Sequence, residues 1–472
     1  MQTKKQTRPF GVRDKIGYLL VDFGNDFTFL LSSGFLLKFY TDVMHVSAGI
    51  VGIIMMLARF VDAFTDVTMG RICDKSPVGP TGRFRPWLIR CCGPVAVASF
   101  LIYQSSLADA SLVFKVIWLT VTYILWGSVF YTSINIPYGA LASVISEEPS
   151  DRQSLSTFRS MGSVLAGVIV GTVIPLFAYD VSTVNGVELA ELNGGKFTLI
   201  SGIFSILSIL AYLGCYLLIT ERASVQTPNK KEGTSIARLI SSSLKNRALV
   251  SIIVASVIML FSQFTLQQLS GYLYPDYYGN PEAQSVATLA MMVGMGIAAV
   301  GAKPLSKRFG KAEISAASCI LAATVLTLLF FIRPGSVWVF VGFNLFSWLG
   351  LGVFSMVSWA LITDVIDDAE IKNGVREDGS IYSLYSLARK LGQAAAAGTA
   401  GLLLTVIGYD KVVGEPITES VRQGLYSVST LVPAIGFLLL GVVLWFYYPL
   451  HKNRVEANIR ILRSKGRERY DQ

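Results

Sequence analysis

The chain has 472 residues, 52% of them hydrophobic and only 15% charged, and its mean hydropathy is +0.54. A soluble protein of this length carries about a quarter charged residues, so an ordinary soluble domain is excluded. The formal charge of +9 then reads as loop charge on a membrane protein, and no nucleic-acid partner is expected.

The N-terminus, MQTKKQTRPFGVRDK, is basic, but no small-residue cleavage site follows a short apolar core, so the first apolar segment is expected to be retained. About twelve runs of spanning length follow. They lie at roughly 16–40, 46–70, 87–106, 114–146, 160–180, 198–220, 248–272, 286–302, 312–332, 337–366, 380–407 and 426–448. The fold class is an all-α membrane protein.

The basic loops alternate. Lys4, Lys5, Arg8, Arg13 and Lys15 precede span 1, and Arg71, Lys75, Arg83 and Arg85 follow span 2. Arg222, Lys230, Lys231, Arg238, Lys245 and Arg247 follow span 6, Lys303, Lys307, Arg308 and Lys311 follow span 8, and the tail is basic again. The other side has few cations, among them Lys196, Arg333, Lys411 and Arg422. Positive charge stays on the cytoplasmic side, so both termini are expected there, in a multi-pass protein of the cell inner membrane. A polar loop divides the spans into an N-terminal six-helix half (1–220), a central loop (221–247), a C-terminal six-helix half (248–450) and a basic tail (451–472). Two parallel six-helix halves resemble the major facilitator architecture.

A charge at mid-membrane costs about 2.5–3.5 kcal/mol even on the lenient insertion scale, so ionisable residues within spans mark function. Asp22 and Asp26, with Asn25 between them, share a face of span 1, and Asp62 and Asp66, with Thr65, share a face of span 2. Carboxylates and a hydroxyl are hard oxygen ligands that suit Na⁺, and paired carboxylates equally suit a proton. The alternative is that they pair with Arg or Lys merely to hold helices together. Span 4 places Thr132 and Asn135 three apart, with Pro137 and Gly139 loosening the helix. Arg159 opens span 5, where it could instead snorkel to the interface. Lys390, with Gln393 one turn on, lies deep in span 11. Asp364, Asp367 and Arg376 cluster at the end of span 10 and are expected to close an inner gate with Arg152; a solvated helix end is the plainer reading. Cys73, Cys91, Cys92, Cys215 and Cys319 read as free thiols packed as small apolar residues. The sequence contains no GxxxxGK[ST], HExxH or CxxC, so neither ATP hydrolysis nor a bound cofactor is expected.

FGNDF, FYTDV, ARFVDAFTD, GRFRPW, VTYILWG, NIPYG, FRSMGSVLAG, TDVIDDAE and YSLYSLARKLGQA together resemble the glycoside–pentoside–hexuronide:cation symporters, the family of the melibiose and glucuronide permeases, from about residue 10 to 450. The resemblance implies roles. Asp62, Asp66 and Thr132 match cation-site residues, and Thr65 stands where the melibiose permease has an asparagine ligand, which leaves Na⁺ and H⁺ both open. Asp26 matches a sugar-binding aspartate. Asn25, Asn135 and Gly139 replace a lysine, an aspartate and a tryptophan of that permease, while Arg159 and Lys390 match residues lining its sugar pocket. A glycoside, pentoside or glucuronide is the implied substrate, carried by a monomer embedded in membrane lipid. A cation-coupled lysolipid carrier is the rival reading. A membrane-embedded transferase would need a catalytic constellation that the outer loop around 178–197 lacks.

Overall fold

The computed structural model describes residues 8–79, 81–184, 187–222, 246–373, 378–412 and 414–470. Among these residues twelve long helices follow one another. The first six are α1 (Val12–Asp42), α2 (Ala48–Lys75), α3 (Arg85–Ile102), α4 (Leu112–Ile145), α5 (Pro149–Phe177) and α6 (Gly194–Leu218). The second six are α7 (Arg247–Tyr277), α8 (Glu282–Phe309), α9 (Lys311–Ile332), α10 (Val337–Asn373), α11 (Asp378–Val406) and α12 (Glu419–Tyr447). A polar helix, α13 (Lys452–Tyr470), closes the chain.

Among the described residues ten of these helices are long and apolar enough to cross a bilayer. The others, α1 and α11, are as long, with 31 and 29 residues. They contain Asp22 and Asp26, and Arg389 and Lys390, which lower their hydropathy. A helix in hydrocarbon satisfies its own backbone polar groups, so every segment of spanning length here is helical. The outward surface is apolar as well: Leu217 and Val300 are 76% and 80% exposed. That is tolerable only where lipid replaces water.

The chain divides into two compact units, residues 1–231 with 404–417, and 232–403 with 418–472. Most of the expected central loop, 221–247, falls at 223–245, outside the described residues. Residues 404–417, which run from the last turn of α11 to just before α12, group with the first unit.

Within the first unit α1 packs along α5 and α6, α3 along α6 and α4, and α2 along α4. Within the second, α7 packs along α12, α9 along α12 and α10, and α8 along α10. The pairing repeats with a shift of six helices. Two glycines show the repeat at atomic scale. A Cβ on Gly162 of α5 would stand 2.4 Å from the Leu19 carbonyl oxygen of α1, and one on Gly392 of α11 would stand 2.7 Å from that of Val257 on α7. Helices this close need a missing side chain at the crossing.

Buried carboxylates tie the helix ends together. Asp14, fully buried, accepts the Gly11 and Thr220 backbone N–H groups at 3.1 and 3.2 Å and pairs with Arg8 and Arg222 at 3.0 and 2.8 Å. It thereby joins the start of α1 to the end of α6. Glu221 accepts the N–H groups of Arg83, Phe84 and Arg85 at 2.8, 2.9 and 2.7 Å, filling donors that a helix start leaves open. The basic GRFRPW loop is thus anchored by one acidic side chain.

Two elements differ from the sequence reading. The segment after α5 is an antiparallel hairpin, β1 (Tyr179–Val184) with β2 (Val187–Leu192), pairing Tyr179 with Leu192 and Val184 with Val187. Its alternating β-branched and polar residues around Asn185–Gly186 carry a hairpin signal that a search for hydropathy alone passes over. The helix of span 5 begins at Pro149 rather than near 160. Its first turns are polar, so hydropathy misses them, while proline suits a helix start.

Replacing Gly162 by alanine should lower the detergent-unfolding midpoint by several degrees, because overpacking costs about 1–3 kcal/mol. Gly139→Ala, where a Cβ meets nothing within 4 Å, should not lower it. Equal midpoints for the two variants would refute the close crossing.

Candidate functional site

Two pairs of carboxylates in the first unit each face a matched pair of groups on a parallel helix. On α2, Asp62 accepts the Ser128 hydroxyl at 2.5 Å and Asp66 accepts the Thr132 hydroxyl at 3.0 Å. On α1, Asp22 pairs with Arg159 of α5 at 3.2 Å, and Asp26 accepts a short hydrogen bond from Ser163. Members of each set are four residues apart, hence on one helix face. The sequence separation is 66 residues in both bonds of the first set. A constant separation means parallel helices in register, so one packing contact aligns both bonds.

The local winding of α4 supports this alignment. Residues Leu125–Tyr131 form a π-helical stretch, and the Thr132 N–H reaches back to the Gly127 carbonyl. Such stretches widen a helix locally and recur at functional sites. Here the stretch contains Ser128 and ends just before Thr132.

Cations and rings complete the site. Arg59, three residues before Asp62, pairs with its other oxygen at 3.2 Å and lies 5.4 Å from the centre of the Phe29 ring. Phe29 stacks on Tyr131 at 5.9 Å. Arg159 lies 5.0 Å from the centre of the Tyr138 ring, which packs 4.5 Å from that of Tyr18. Asp22 and Asp62 are each 8% exposed. At that burial a carboxylate needs partners, and those described are one guanidinium, or one guanidinium and one hydroxyl.

The structure thus brings together Asp22, Asp26 and Arg159, and separately Asp62, Asp66 and Thr132. Other residues singled out from the sequence sit differently. The Thr65 hydroxyl donates to the Val61 and Asp62 carbonyls of its own helix, at 3.3 and 3.1 Å. Asn25 is turned away from the Asp22–Asp26 face and accepts the Tyr212 hydroxyl of α6 at 2.6 Å. Asn135 is half-buried on α4, and Gly139, one turn on, is exposed. Arg152 holds the Ser146 and Ser143 carbonyls at the end of α4, at 2.9 and 3.3 Å.

In the second unit Lys390 and Gln393 are half-buried on α11. Their neighbour Arg389 lies 5.6 Å from the centre of the Trp359 ring and 5.9 Å from that of Tyr385. Asp364 pairs with Lys311 at 2.6 Å, Asp367 is half-buried, and Arg376 lies outside the described residues. Asp368, fully buried, accepts from Asn458 at 3.1 Å and pairs with Lys372 at 2.5 Å, which docks α13 on α10.

Arg59, Ser128 and Ser163 were not singled out from the sequence. The last two stand one turn from Thr132 and from Arg159, as Asp62 stands one turn from Asp66, and that parallel spacing is their signal. Arg59 carries the simpler signal of a cation one turn from a carboxylate inside a span.

Two six-helix units, with carboxylates and guanidiniums held inside otherwise apolar helices, define a multi-pass membrane transporter rather than an enzyme. Residues 17–452 match the family described as MFS/sugar transport protein, and the chain belongs to that family, within its glycoside–pentoside–hexuronide group. It is 28% identical to an uncharacterized symporter, YjmB, of Bacillus subtilis, over 99% of this chain and 98% of that one. It is 29% identical to a glucuronide carrier protein homolog of Escherichia coli, over 93% and 92%. The fold is similar to that of a crystallised D-xylose–proton symporter, with a TM-score of 0.63 at 14% identity, covering 93% of this chain and 97% of that one.

A double-mutant cycle checks the α1–α5 contact. Thermal stabilities of Asp22→Asn, Arg159→Gln and the double variant should depart from additivity by about 0.5–3 kcal/mol. Additivity would show that the two side chains do not interact.

Proposed function

We propose that the protein is a cation-coupled sugar symporter working by alternating access, with a glycoside, pentoside or glucuronide as substrate and Na⁺ or H⁺ as coupling ion. The observation that carries this reading is the pair of carboxylate sets on α1 and α2. Asp22 and Asp62 pair with Arg159 and Arg59, and Asp26 and Asp66 accept hydroxyls from Ser163 and Thr132. Oxygen atoms gathered in this way are the hard ligands that a small cation takes. Asp66 and Thr132 supply oxygen ligands for Na⁺, or Asp66 supplies a proton acceptor.

Asp22, Asp26 and Arg159 offer acceptors and a planar donor to sugar hydroxyls, with Tyr18, Tyr131 and Tyr138 nearby as apolar faces. Lys390 is assigned to the same substrate from the family resemblance, and Gln393 from its place one turn on in α11. Neutral sugars and glucuronides both fit this donor set, and the relatives' names support a sugar of this class. Symport requires the doubly loaded carrier to cross more readily than either singly loaded form.

The test is uptake of a panel of labelled glycosides, pentosides and glucuronides into membrane vesicles under an imposed Na⁺ or H⁺ gradient. Accumulation of one sugar under one gradient is expected, and it names both ligands. Uptake of a lysolipid with no glycoside accumulated would overturn the sugar reading in favour of a lipid carrier.

Two variants bear on the site. Asp66→Asn should abolish gradient-driven accumulation; uphill uptake at the wild-type level would reject the cation site. Lys390→Gln should weaken sugar binding about tenfold or more, the order expected for a lost charge-assisted hydrogen bond. An unchanged affinity would remove Lys390 from the pocket.

A further inference from the structure

At the end of α1 opposite the N-terminus, charge is buried with no part in the sites above. Lys38 and Asp42 are 1% and 7% exposed and pair at 2.6 Å one turn apart on α1. Tyr409, from the segment 404–417, joins both: it accepts from the Lys38 ammonium at 3.0 Å and donates to Asp42 at 3.0 Å. Thr41 adds a hydroxyl to Asp42 at 2.8 Å. Lys411, 8% exposed, donates to the Ala190 carbonyl of β2 at 2.7 Å and stands 4.0 Å from Asp42. The Gly414 N–H donates to Glu191 of the same strand at 2.6 Å. Thr405 lies against Gly49 at the start of α2.

The segment is therefore fastened to α1, α2 and the hairpin, while the chain enters it from α11 and leaves it into α12. We propose that it is a releasable latch: alternating access at this face requires residues 404–417 to leave α1, and the Lys38–Asp42–Tyr409 cluster sets how often they do. This rests on the carrier reading above and goes beyond its ligand sites. Loop charge assigns the face to the outside.

The chemistry suits release. A buried charge deprived of its partner is strongly destabilising. Lys38 and Asp42 are both on α1, so when the segment leaves they remain paired and water replaces one tyrosine hydroxyl. Lys411 goes with the segment, and Asp42 retains Lys38 as its counter-ion. Opening thus loses a few hydrogen bonds and strands neither member of the α1 pair. A lock made of the same charges divided singly between the two sides would have to desolvate both anew at each closure. The hairpin acquires a role in this picture, since Ala190 and Glu191 are the receptors for the far half of the segment.

Two measurements test the latch. The first is hydrogen–deuterium exchange of the purified carrier in nanodiscs, which needs no substrate. Peptides covering 404–417 should exchange about tenfold or more faster in Asp42→Asn, the order expected for lost charge-assisted bonds. Peptides of α3 should be unchanged. Tyr409→Phe, which keeps the ring, should give the same direction with a smaller rise and guards against misfolding of the first variant. Unaltered exchange of 404–417 in both variants would overturn the proposal.

The second uses the 3.7 Å separation between the Thr405 Cβ and a Cβ built on Gly49, which lies within disulfide geometry. In Gly49→Cys/Thr405→Cys, oxidation should stop uptake of the sugar that the wild type accumulates, and reduction should restore it. Each single variant should transport in both conditions. Full uptake by the fully cross-linked carrier would show that the segment need not move. Should no sugar accumulate in the panel, the symporter reading falls, and the exchange experiment still decides on the latch.

Discussion

Everything in this molecule follows from the cost of placing charge where lipid should be. A helix crossing hydrocarbon can satisfy its own backbone, but a carboxylate on it must find a partner inside the protein. Asp22 and Asp62 find arginines, Asp26 and Asp66 find hydroxyls, and Asp14 and Asp368 at the helix ends find cations together with backbone or amide N–H groups. The bonds that cross between helices fix the register of one against another. Those bonds select among the many ways in which twelve apolar rods could pack.

The two sets look alike because both are set by helix register. Parallel helices that touch along one stripe present residues four apart to residues four apart. Once Asp66 meets Thr132, Asp62 must meet Ser128, and once Asp22 meets Arg159, Asp26 must meet Ser163. The π-helical stretch in α4 is a local departure from regular winding that serves the first alignment. One contact thus orders a row of groups, and a shift at one position is mechanically joined to its neighbour one turn away.

How much of this was legible in the sequence depended on whether the signal was one-dimensional. The spans were legible, because lipid requires about twenty apolar residues for each crossing. The paired aspartates were legible because their spacing lies on one helix. Ser128 and Ser163 were not, since a serine in a membrane helix is commonplace until its partner is known. Asn25 misled by adjacency: it lies between Asp22 and Asp26 in the chain but about 60° round the helix from the first and about 100° from the second, and its side chain faces Tyr212. The hairpin and the attachment of 404–417 to the first unit are tertiary facts, the one hidden by low hydropathy and the other by covalent continuity with α11.

The internal repeat sharpens the difference between the halves. Gly162 crosses α1 at Leu19, and Gly392 crosses α7 at Val257. By that alignment Arg159 corresponds to Arg389, each three residues before its glycine. Asp22 corresponds to Leu260 and Asp26 to Phe264. The same backbone crossing therefore holds an arginine against carboxylates in one unit. In the other the arginine lies against Trp359 and Tyr385. Ion-pair partners have been replaced by π faces, a weaker attraction that involves no second charge. One ancestral packing motif can thus hold charge-coupled chemistry in the first unit and an aromatic environment in the second.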